Sequence, residues 1–174
     1  MKHKPQYIDA EIDKLTNSIE NIITGDSFQT DVTFIDKNDL KSITKRTGWL
    51  FDWKNEYKKP DRDVYKLTIV GNPDIVQGLI SITEREDYIY IHLIESAPFN
   101  LGQNKVYLGV PGNLVAFVCR ISFHHGFEGY VSFTAKTQLI GHYEKTLGAN
   151  NVGGQLMIIN TDAALKLIKK YFKN

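Results

Sequence analysis

Gly109 and Gly112 bracket Val-Pro just ahead of a run from Asn113 to His125 that is apolar on most of its circumference, through Leu114, Val115, Phe117, Val118, Cys119, Ile121 and Phe123. A helix apolar nearly all round is a buried one. Glycines at its entrance let the backbone approach an anion closely and present N–H groups where the helix's partial positive charge favours it. Pro111 removes one of those donors, and Lys105 can add charge. Tyr143 stands between Leu139 and Leu147 at four-residue spacing, so it is either an acid with a phenolic proton to give or a core aromatic with its hydroxyl at the rim. Glu95 ends a strand-like run; it can serve as a general base through water if that end opens on a cleft, or simply be solvated. His92, from the opposite face of the same run, can exchange a proton near neutral pH or sit hydrogen-bonded in a core.

Other chemistries are argued against. Adjacent His124 and His125 point apart, no other Cys or His stands at ligand spacing, and a helix C-terminus accounts for both, so no metal is expected. Cys119, the one cysteine, reads as a small buried hydrophobe. The loop lacks the Lys-Ser/Thr of a nucleotide-triphosphate loop and the spacing of a dinucleotide fingerprint, and no Gly-x-Ser-x-Gly elbow is present. With 21 basic and 20 acidic residues the net charge is +1, which gives no global pull toward nucleic acid or an anionic membrane. Met1 to Ala10 carries charges and a proline without an apolar run, and nowhere do eighteen apolar residues follow one another. The expectation is a cytoplasmic protein of one domain, 1–174, with a radius of gyration of about 16 Å.

These residues need elements to position them. Ile8, Ile12, Leu15, Ile19, Ile22 and Ile23 recur at helical spacing before Gly25, which predicts an amphipathic lead-in helix over 1–25. A strand at 31–35 follows, then a short helix capped by Asn38 or Asp39 and ending near Gly48. The aromatic segment 49–63, with Trp49, Phe51, Trp53 and Tyr57, reads as loop with at most a short strand. Runs at 64–70, 77–85 and 88–95 are rich in Ile, Val, Tyr and Thr, and their short joins force antiparallel neighbours. In the third run Tyr88, Tyr90, His92 and Ile94 point one way and Ile89, Ile91, Leu93 and Glu95 the other; both faces are largely apolar, so this strand is central, with helices on both sides. A strand at 130–135, reached through the buried helix, is expected to run parallel to it. A helix at 138–147 stopped by Gly148, a strand at 155–159 and a helix at 162–172 capped by Asn160 or Thr161 complete the order. The fold class is α+β, a central mixed, mostly antiparallel sheet with helices on both faces.

This order, together with Gly109-Val-Pro-Gly112-Asn-Leu-Val-Ala-Phe, Gly129-Tyr-Val-Ser-Phe-Thr-Ala135 and His142-Tyr143-Glu144-Lys145-Thr-Leu-Gly148-Ala149, resembles the GCN5-related N-acetyltransferase superfamily over roughly residues 64 to 149. The resemblance implies the acyl-coenzyme A N-acyltransferase fold, acetyl-coenzyme A as donor and an amine as acceptor. It further implies Tyr143 as acid toward the departing thiolate and Glu95 as base. The donor would be held by Leu93 and Ile94 on the central strand and by Lys105, Tyr107, Gly109, Val110, Gly112 and Asn113, and Asn100 would face the acceptor. The loop departs from the family pattern: with Gly112 as last member, Tyr107 and Val110 stand where Gln or Arg and then Gly are usual. The alternative is a module that keeps the fold without catalysis and binds a protein partner or an acyl-coenzyme A.

Overall fold

The computed structural model describes residues 6–14 and 18–172. Its elements in chain order are β1 (Ile19–Asn21), β2 (Ser27–Phe28), β3 (Thr30–Phe34), α1 (Trp53–Lys58), β4 (Asp63–Ile69), β5 (Gly78–Glu84), β6 (Ile89–Ser96), β7 (Tyr107–Leu108), α2 (Val110–His124), β8 (Val131–Thr134), α3 (Ile140–Leu147), β9 (Asn150–Asn151), β10 (Leu156–Ile159) and α4 (Thr161–Tyr171). Seven strands form one sheet in the order β3-β4-β5-β6-β8-β10-β9. Every neighbouring pair is antiparallel except β6 and β8, which are parallel, as the helical crossover between them requires. A small sheet, β2-β1-β7, stands apart from it. No helix among the described residues is long and apolar enough to cross a membrane.

Both faces of the central strands are covered. On one, the fully buried Leu114, Val115, Val118 and Cys119 of α2 pack with Ile80, Ile91 and Ile94 of the sheet, with Tyr143 of α3 and with Ala164 and Leu167 of α4. On the other, Trp53 of α1 joins Trp49, Val64, Leu79 and Leu93 in a second cluster. Burial pushes the Cys119 thiol up to about 12, so it stays protonated among apolar neighbours. Asn160 caps α4 by accepting from the Ala163 N–H at 3.0 Å.

Three expectations are corrected. Among the described residues no lead-in helix forms: over 6–14 the chain is non-helical and Ile8 makes a parallel bridge with Ala135; Leu15 lies outside the described residues. Ile8, Ile12 and Ile19 are nonetheless buried. A spacing of four places side chains on one side of an extended chain as well as of a helix, and β-branched isoleucine favours the former. Within 49–63 there is a helix, α1, whose N-cap Asp52 accepts from the Asn55 N–H at 3.0 Å; the aromatic residues obscured that signal. Finally, β6 does not alternate cleanly. Ser81 pairs with Leu93 but Ile82 with Ile91, so His92 is an extra residue in the ladder. This bulge shifts the phase: Ile89, Ile91 and Ile94 face the α2 cluster, and Leu93 faces the α1 cluster.

His92 at the bulge is buried, with Nε2 2.7 Å from Thr83 Oγ1. Burial first, then repulsion from Arg62, lower it to about 4. Its neighbour Glu56 is buried too and accepts from Ser81, Arg62, Lys59 and Gln6 at 2.7 to 3.2 Å. Burial pushes that carboxyl up, but the hydrogen bonds from Ser81, Lys59 and Gln6 outweigh it and leave it below its ordinary value. Between about pH 6.5 and 4 the unfolded chain binds a proton at residue 92 that the folded chain excludes, so stability is full above 6.5 and falls as pH drops toward 4. The depressed Glu56 adds loss in the same direction at lower pH. The expected contribution of His92 is about 2–3 kcal/mol between pH 7 and 4. Urea unfolding at the two pH values reads it, and in His92→Gln that part of the pH dependence should vanish.

Candidate functional site

β6 and β8 pair only over Ile89–Ile91 with Val131–Phe133. Beyond that point no strand of the sheet lies between Leu93–Ser96 and the end of β8, and the gap opens toward the first turn of α2 and the hydroxyl of Tyr143. Gly109 is the N-cap of α2 with φ 93°, a left-handed conformation that glycine adopts without strain. In a helix beginning at Val110 the amides of Val110 and Gly112 have no intrahelical carbonyl to bond, and Pro111 brings none.

The gap holds a segment of the chain itself. The Ile8 N–H donates to the Thr134 carbonyl at 2.8 Å, and Ile8 O accepts from the Lys136 N–H at 3.4 Å. The Tyr143 hydroxyl donates to Ala10 O at 2.8 Å, and the Ile12 N–H donates to His142 Nε2 at 2.8 Å. Asp13 Oδ1 accepts from the Gly109 N–H at 3.1 Å while its other oxygen lies 3.5 Å from Lys105 Nζ. The Tyr171 hydroxyl, from the end of α4, donates to Lys14 O at 3.1 Å. Beside this strap is a cavity of about 300 Å³ whose walls include Asp9, Glu11, Ile94, Glu95, Asn100 and Lys105. Burial, and secondarily the negative charge of Asp9 and Glu11, push the Tyr143 phenol well above its ordinary value, so it is protonated at neutral pH.

The structure thus brings Glu95, Asn100, Lys105 and Ile94 to one cavity, with Gly109 and Tyr143 hydrogen-bonded to Asp13 and Ala10 of its wall, while the Val110 side chain is buried in the core against Gly78. It also gives several of them partners. The buried Glu95 carboxylate accepts from the Leu50 N–H at 2.6 Å, the Phe51 N–H at 3.3 Å and Trp53 Nε1 at 2.8 Å. These bonds anchor the segment that walls the cavity. Asn100 donates to Gln77 O and Oε1 at 3.1 and 3.0 Å and accepts from the Tyr107 N–H at 3.0 Å; it clamps the 97–108 loop. Tyr107 lies in β7, its ring edge-on to Phe28 at 5.8 Å. Gly112 carries the Tyr171 hydroxyl on its face, 1.8 Å from where a Cβ would be. Asn113 is fully buried and turned to β3, its Oδ1 3.4 Å from Thr30 Oγ1 and its Nδ2 without a hydrogen-bond partner among the described residues. Leu93 belongs to the α1 cluster. Among the described residues no group of three or more His, Cys, Asp or Glu could hold a metal. His125 Nδ1 instead lies 3.2 Å from Glu84 Oε1.

Asp13, His142 and Tyr171 are the site residues that sequence reasoning missed. Asp13 meets Gly109 across 96 positions, and no local spacing announces such a contact.

The fold built by these elements is that of the GCN5-related N-acetyltransferases. The solved spermidine/spermine N-acetyltransferase SpeG from Vibrio cholerae superposes with a TM-score of 0.55 at 12% identity, covering 79% of this chain and 98% of that one. A SpeG structure in complex with CoA and spermine gives 0.54 at 14% over the same shares. The ribosomal-protein-S18-alanine N-acetyltransferase from Escherichia coli gives 0.50 at 15%, over 75% and 90%. At these identities the likeness is one of fold. No protein-family model matches the chain, and no curated protein does.

Proposed function

We propose that the chain is an N-acyltransferase that moves an acetyl group from acetyl-coenzyme A to an amine. The observation that carries this reading is the Asp13 carboxylate on the Gly109 N–H and Lys105: the entrance of α2 holds an anion, within the same gap as the Tyr143 hydroxyl. An oxygen of a phosphate in place of Asp13 fits this donor set, with the Val110 and Gly112 amides of the first turn adjoining it. Tyr171 closes the other side of Gly112.

Bound acetyl-coenzyme A would supply the activated acetyl group as a thioester. Everything else falls to the chain. Gly109, Val110 and Lys105 hold the anionic end. The edge of β6 from Leu93 to Glu95, which no strand covers on the β8 side, offers main-chain groups to the acyl arm. The amine, its ammonium proton lost to solvent, bonds through nitrogen to the acetyl carbon as the carbon–sulfur bond breaks; Tyr143, kept protonated by burial, gives its proton to the leaving sulfur and recovers one, through solvent, from the nitrogen. Glu95 acts as a positioning residue through the three donors that it holds, and Asn100 does the same for the loop that ends at Gly109.

The test is titration of acetyl-coenzyme A by calorimetry, followed by thiol release with spermidine and with an N-terminal alanine peptide as acceptors. Tyr143→Phe should lower turnover about a hundredfold without weakening donor affinity; equal rates would remove the phenol from the chemistry. A second reading, a non-catalytic module, is favoured by the strap in the gap and by Tyr171 over Gly112. As a binder of a protein partner it predicts no heat at millimolar donor in any variant, Asp13→Ala included; as a binder of acyl-coenzyme A it predicts heat without thiol release.

A further inference from the structure

We propose that residues 8–14 are an intramolecular competitor for the donor site, a strap that must leave before acyl-coenzyme A can enter; this rests on the transferase reading. The strap takes up the groups that the donor would need. A carboxylate, that of Asp13, lies at the anion-holding N–H of Gly109 and beside Lys105. A carbonyl oxygen, that of Ala10, takes the proton of Tyr143. A main-chain N–H and C=O, those of Ile8, pair with the end of β8. Gly109 has one N–H and Tyr143 one hydroxyl proton, so neither can serve strap and donor at once. A donor that takes the Gly109 N–H therefore competes with Asp13 for it.

The strap is also held in a way that permits release. Ile8 and Ile12 are its buried apolar side chains, whereas Glu11 and Lys14 are exposed, Asp9 and Ala10 are half-buried, and Asp13 is exposed as a residue with its side chain 14% exposed. Among the described residues its remaining attachments are single hydrogen bonds and three ion pairs, Asp9 with Lys136 at 2.8 Å, Lys14 with Glu20 at 2.8 Å and Asp13 with Lys105 at 3.5 Å. An equilibrium between a seated and a released strap lowers the apparent donor affinity by the released fraction. Weakening the strap should then tighten the donor.

Two measurements on the full chain test this. In the unmodified protein, the amides of Ile8 and Ile12 donate to Thr134 O and His142 Nε2; coenzyme A should lower their protection against hydrogen exchange at least about tenfold. In Asp13→Ala, coenzyme A should bind about tenfold more tightly by calorimetry. Binding with the protection of Ile8 and Ile12 unchanged, or with equal affinity in Asp13→Ala, would overturn the strap and leave the transferase reading standing. If Asp13→Ala opens both amides to exchange yet neither chain binds coenzyme A, the transferase reading falls and the competitor role with it.

Discussion

Glu95→Leu is expected to lower stability by about 3 kcal/mol, and for a chain of this size to lower the melting temperature by roughly 10 °C. The side chain is 4% exposed and accepts from two backbone N–H groups and the Trp53 indole. Leucine fills a similar volume and accepts nothing. The indole N–H of Trp53, itself 1% exposed, cannot be rehydrated without opening the α1 cluster. The Leu50 N–H lies beside an exposed side chain and regains water more easily, which keeps the loss below three full desolvation penalties. Glu95→Gln retains one carbonyl oxygen and should lose only about 1 kcal/mol. The pair also separates two roles. If Glu95 positions the 49–53 wall, thermal melts will rank Leu below Gln below the unmodified chain, and turnover will follow that rank. A general base would give a Gln variant of nearly unchanged melting temperature with turnover down by orders of magnitude, and that result would overturn the positioning role.

Gly112→Ala is the second large effect, and two opposing magnitudes decide its sign. Inside a helix, glycine to alanine ordinarily stabilises by about 1 kcal/mol. Here the new methyl would lie 1.8 Å from the Tyr171 oxygen and 2.5 Å from its Cζ. Tyr171 is 1% exposed and fixed at the end of α4, so its ring cannot swing into solvent. Overpacking at a site this tight costs about 2–3 kcal/mol or more, and the bond from Tyr171 to Lys14 is lost with it. A net loss of about 2 kcal/mol is expected in urea unfolding. Tyr171→Leu should recover at least half of it in the double variant, because the two residues are in contact and their effects do not add. A Gly112→Ala chain as stable as the unmodified one would show that Tyr171 yields freely.

The sequence made the sheet legible where alternation and short turns coincide. The runs at 64–70, 77–85 and 88–95 became β4, β5 and β6, and the crossover through α2 made β8 parallel to β6. Legibility failed where a contact between distant residues overrides local pattern. Isoleucines at 8 and 12 have the same spacing whether they line a helix or a strap, and only Thr134 and His142, more than a hundred positions away, decide between them. The bulge at His92 is likewise invisible in a run that alternates well, and it changes which core receives Leu93. In the site, glycines before a buried helix were readable, as was a tyrosine on the helix after the parallel strand. That Gly112 makes room for Tyr171, or that Asn100 is consumed by Gln77 and Tyr107, depends on which loops meet.

The bond from Tyr171 to Lys14 joins residues 157 positions apart. Closing so long a span costs little more in chain entropy than closing half of it, about 0.6 kcal/mol per doubling. Its effect is on timing. During synthesis the ribosome delivers Lys14 early and Tyr171 only after all ten strands have emerged, so the nascent chain passes through an interval in which the mouth of α2 lacks its last wall.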